Sequence, residues 1–64
     1  MTIGDRIKLI AEEKEISFYR IAKDAEISTS YISELISNKK RNPTVDIAKK
    51  ISKALGVTVE DLIE

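Results

Sequence analysis

The chain has 64 residues, no cysteine, no histidine and a formal net charge of zero. That length fits one small domain, which hides only about 60% of its unfolded surface. Without cysteine or histidine there is no disulfide, no thiolate metal site and no imidazole base, so neither metal nor cofactor is expected. No apolar run approaches the ~18 residues of a membrane span, and the opening MTIGDRIK lacks the apolar stretch of a secretory leader. The expectation is a soluble, cytoplasmic protein. Charge is unevenly spread. Residues 17–43 carry five cations against three anions, and the segments on either side each carry three against four.

Apolar residues recur at helical spacing throughout, and cap signals divide the chain into five short helices. Thr2 caps a helix running to about Lys14, with Asp5 as the capping-box acid and Ile3, Ile7, Ile10 and Ala11 facing inward. Ser17 caps a second helix to about Asp24, with Ile21, Ala22 and Ala25 inward. Ala25, Glu26 and Ile27 separate it from Ser28, which caps a third helix to about Ser37 with Ile32, Leu35 and Ile36 inward. So short a connection makes two brief helices cross steeply, as in a helix-turn-helix. Ala22 is small where they would meet, and Ile27 and Ile32 are placed to anchor the third helix from behind. Asn38 suits a left-handed helix end. Pro43 keeps Asn42 extended. Thr44 caps a fourth helix with Val45, Ala48, Ile51 and Leu55 inward, and Gly56 ends it. Thr58, with Asp61 three residues on, caps a fifth. Val57, Leu62 and Val59 are expected to close the bottom of the core.

ISFYRIAKDAEISTSYISELI, NKKRNP and KALGVTVEDL, in that order, resemble the Cro and phage-repressor (XRE) helix-turn-helix family, and the resemblance covers essentially the whole chain. It implies a compact, all-α, five-helix, lambda-repressor-like domain over residues 1–64, with the motif at about 17–36. It also implies a sequence-specific transcriptional regulator, a repressor, that sets its third helix in the major groove of double-stranded DNA as a homodimer on a palindromic site. Four departures from the family pattern involve five positions. Phe18 stands where glutamine usually reaches a phosphate. Glu26 stands where glycine usually makes the turn. Ala11 and Ile36 are apolar where an arginine and a glutamate often pair. Glu34 stands where a neutral or basic base-reading residue is common.

Within that frame Thr29, Ser30, Tyr31, Ser33 and Glu34 are the base-reading candidates. Short hydroxyl side chains let a helix sit deep in a groove, the Thr29 methyl can meet a thymine methyl, and glutamate can accept from cytosine. Lys39, Lys40 and Arg41 follow as phosphate neutralisers. Arg20, Lys23 and Asn38 are further backbone candidates, as are the helix starts behind Ser17 and Ser28. Each has a plainer alternative. Ser17 and Ser28 are caps with or without DNA, Tyr31 can pack on the domain edge, and a run of three cations can be a solvated loop. Val45, Ile47, Val59 and Ile63 are more apolar residues than one small face buries, which makes them dimer candidates. The rival function is a protein-interaction module of the same fold, antitoxin-like or anti-repressor, working through a protein partner; neutral net charge, Phe18 and Glu34 favour it. An enzyme is not expected, because no nucleophile–base pair assembles from these residues.

Overall fold

The computed structural model describes residues 1–40 and 42–63. Within them lie five α-helices, α1 (Ile3–Lys14), α2 (Phe18–Ala25), α3 (Thr29–Ile36), α4 (Val45–Leu55) and α5 (Val59–Ile63). None is long and apolar enough to cross a membrane.

The starts are set by local chemistry. The side-chain oxygens of Thr2, Ser17, Ser28 and Thr44 each accept from the backbone N–H three residues on, which satisfies a donor that the first turn leaves open. Thr58 does the same for Asp61, whose carboxylate accepts from the Thr58 N–H in return. The ends are set by backbone geometry. Glu15, Glu26, Asn38 and Gly56 all hold positive φ, at 57°, 59°, 67° and 73°. Glu26 thus occupies the left-handed turn expected of it, and Glu15 makes a second such turn with a carboxylate residue.

All five helices feed one core. Ile7 and Ala11 of α1, Ile21, Ala22 and Ala25 of α2, Ile32 and Leu35 of α3, Ile51 and Leu55 of α4, and Leu62 of α5 are buried together. Ile27, Tyr31, Ile36, Ile47 and Val57 pack against them from the edge. Two expected core positions differ. Val45 is 68% exposed, because it opens α4 and no preceding turn covers it. Val59, which opens α5, is half-buried and stands outside the core cluster.

One contact fixes how α1 meets α3. A Cβ on Gly4 would lie 1.9 Å from the carbonyl oxygen of Leu35, so the bare glycine lets α1 settle directly on the last turn of α3. Asn38 ties the same junction. Its amide oxygen accepts from the Thr2 hydroxyl, and its nitrogen donates to Asp5 at 3.4 Å. The Asp5 carboxyl is held below the usual aspartate range, foremost by the Thr2 backbone N–H and then by the Asn38 amide, with burial opposing.

Candidate nucleic-acid interface

Helix α3 turns one side to the core and the other to solvent. Ile32 and Leu35 are buried, whereas Thr29, Ser30, Ser33 and Ser37 are exposed and Glu34 is half-buried. Thr29, Ser33 and Ser37 follow each other at i, i+4 and i+8, so the outer face is a row of small hydroxyls flanked by Ser30 and Glu34. Ser37 belongs to this face although the sequence singled it out only as the end of the helix. Its hydroxyl donates to the Glu34 carbonyl at 3.3 Å.

Each flank of that face has its own chemistry. On one side Lys40 lies 3.8 Å from the Glu34 carboxylate and 5.4 Å from the centre of the Tyr31 ring. The backbone N–H groups of Lys39 and Lys40 both donate to the Glu34 carbonyl, at 2.8 and 3.1 Å. Lys39 and Lys40 are therefore strapped to the end of α3 and not merely adjacent to it in sequence. Tyr31 is half-buried and packs on the core. On the other side Phe18 and Tyr19, at the start of α2, border a shallow hollow of about 310 Å³ that Thr29, Ile32, Ser33 and Ile36 also line.

The backbone candidates divide by what they already touch. The Ser17 and Ser28 hydroxyls are engaged as caps, at 3.1 and 3.0 Å from the N–H groups of Arg20 and Tyr31. Both helix starts are exposed, leaving their remaining N–H groups as anion donors. Lys39 and Lys23 are exposed. Arg20 is exposed but pairs with Asp24 at 3.5 Å. Asn38 spends its amide on Thr2 and Asp5, which makes it a residue that positions α3. Arg41 lies outside the described residues. Of the dimer candidates, Val45, Val59 and Ile63 come together around a second hollow, of about 220 Å³, with Ile3, Pro43 and Ala48. Ile47 packs on the core instead.

The model of the Cro/C1-type HTH DNA-binding domain matches residues 6–64. The chain belongs to that family. Among relatives of this Cro/C1-type domain is the HTH-type transcriptional regulator SinR of Bacillus subtilis (strain 168), 36% identical over 62 residues, which span 97% of this chain and 56% of SinR. The immunity repressor protein of Bacillus phage phi105 is 32% identical over 63 residues, 98% of this chain and 43% of the repressor. The domain thus spans about half the length of these relatives. A crystal structure of SinR in complex with DNA superposes with a TM-score of 0.92 at 35% identity, over 98% of this chain and all of that one. The five-helix architecture expected from the caps is the architecture of this family.

Proposed function

We propose that this Cro/C1-type domain is a soluble, cytoplasmic, sequence-specific DNA-binding regulator of transcription, acting as a repressor, with α3 seated in the major groove of duplex DNA. The observation that carries it is the close superposition on SinR bound to DNA, in a chain whose α3 turns an uninterrupted hydroxyl face to solvent. Thr29, Ser30 and Ser33 read base edges. Glu34 serves chiefly to hold Lys40 at the groove edge, with its carboxylate available to a cytosine amino group. Lys39, Lys40 and Arg41, with the open N–H groups of α2 and α3, bind phosphates and set the register.

Two copies bind one palindrome. A single short helix reads only a few base pairs, at about 1–3 kcal/mol for each good contact, so a lone domain falls short of tight, specific binding. Val45, Val59 and Ile63 supply the pairing surface, away from α3. That patch is small, so free protein is mostly monomeric at micromolar concentration and pairs on DNA. Selection of bound sites from a random duplex pool tests the assignment. The expected product is a palindrome with half-sites about one helical turn apart, occupied by two protein copies in sedimentation. A one-to-one complex that tolerates scrambling of one half-site would remove the dimer.

A further inference from the structure

Phe18 stands at the start of α2, directly beside the hydroxyl face of α3. Phe18 is 36% exposed and lines a mostly apolar hollow together with Tyr19, Thr29, Ile32, Ser33, Ile36 and Ser37. A phenyl ring can neither donate to nor accept from a phosphate. An apolar hollow pressed against the polar surface of DNA strands water unless something apolar fills it. The major groove offers one apolar group, the C5-methyl of thymine. The hollow shares Thr29 and Ser33 with the face assigned to base reading, so it meets whichever base edge those two residues meet.

We propose that the Phe18 hollow is a thymine-methyl site, and that Phe18 is a specificity-determining residue of this domain. The inference rests on the DNA-binding function proposed above. Phe18 exchanges a contact that holds the backbone irrespective of sequence for one that selects thymine over cytosine and over uracil at one position of each half-site. Thr29 lines the same hollow and carries a methyl of its own. Ile32 and Ile36 form the floor, one buried and the other packed on the core, so the hollow keeps its shape when the helix docks.

The test changes the DNA before the protein, so it does not depend on a variant folding. On a selected duplex, each thymine is replaced in turn by deoxyuridine, which removes only the methyl group, and affinity is measured by fluorescence anisotropy. One thymine per half-site is expected to show a loss of about fourfold, the worth of one buried methyl. Phe18→Ala is expected to bring that thymine-to-uracil ratio close to one, while Phe18→Leu keeps it. If every thymine tolerates uracil, or if the penalty persists in Phe18→Ala, the hollow takes no thymine methyl and meets sugar or a protein side chain instead. That outcome leaves DNA binding intact. If no duplex is selected at all, DNA reading fails, and this site fails with it.

Discussion

Replacing Gly4 with alanine perturbs the seat of α3 without touching its outer face. The added Cβ would stand 1.9 Å from the Leu35 carbonyl oxygen, 2.9 Å from its carbon and 3.1 Å from the Asn38 amide oxygen. The first two obstacles are backbone, so no side-chain rotation relieves them and α1 must move off the end of α3. Forcing extra volume into a packed contact costs about 1–3 kcal/mol, and a collision with a carbonyl belongs at the upper end. Alanine regains up to about 1 kcal/mol of helix propensity over glycine. The net expectation is a loss of about 2 kcal/mol. In a domain this small each kcal/mol moves Tm by roughly 4–8 °C. Urea and thermal melts followed by circular dichroism at 222 nm measure it. DNA affinity should fall too, because the displaced helix carries the Thr2 and Asp5 partners of Asn38 and so loosens the end of α3. If Gly4→Ala is instead more stable than the parent, by the margin that helix propensity allows, then α1 does not rest on Leu35 and the account of how α3 is held is wrong.

Four further outcomes follow from single residues. Glu26→Gly, at a φ of 59°, should raise stability by up to about 1 kcal/mol in denaturant melts; a loss would mean that the carboxylate earns its place through a partner. The Asp5 carboxyl is held below its ordinary range by the Thr2 N–H and the Asn38 amide. Its ionised form therefore adds stability that is complete above the unfolded-state pKa, about 4, and is lost as the pH falls from there through the lower folded value. Asp5→Asn should flatten that acid limb in melts stepped across it, and an unchanged limb would refute the linkage. Lys39→Ala should weaken binding to all duplexes alike and lower the slope of log affinity against log salt by about one. Lys40→Ala should do the same while leaving stability nearly unaltered, since its pairing with Glu34 is exposed and such pairs add little.

What the sequence made legible was local. A serine or threonine cap is recognised within four residues of itself, and the helix limits fall within a residue of those expected. The left-handed turn at Glu26 was legible only through the family resemblance, in which glycine usually stands at that position; the caps on either side showed that the connection is short, not which residue would hold positive φ. What was hidden depends on neighbours far along the chain. Nothing near Gly4 says that Leu35 will press on it, and nothing near Asn38 says that its amide will meet Thr2 and Asp5. Val45 shows a different failure. Its spacing fits the inner stripe of α4, but a first-turn residue at the edge of the stripe has no covering turn, and the side chain faces solvent. Phe18 was visible as the loss of a phosphate contact. That it lines a hollow on the reading face emerged only when α2 and α3 were crossed in space.

The central claim is that α3 lies in the major groove, and methylation interference on a selected duplex tests it most directly. Dimethyl sulfate marks guanine N7 in the major groove and adenine N3 in the minor groove, so one lane reports both. The account predicts that N7 methylation at guanines within each half-site blocks binding, while N3 methylation at adenines in the same half-sites does not. Interference confined to adenine N3, or absent from both positions, would contradict it.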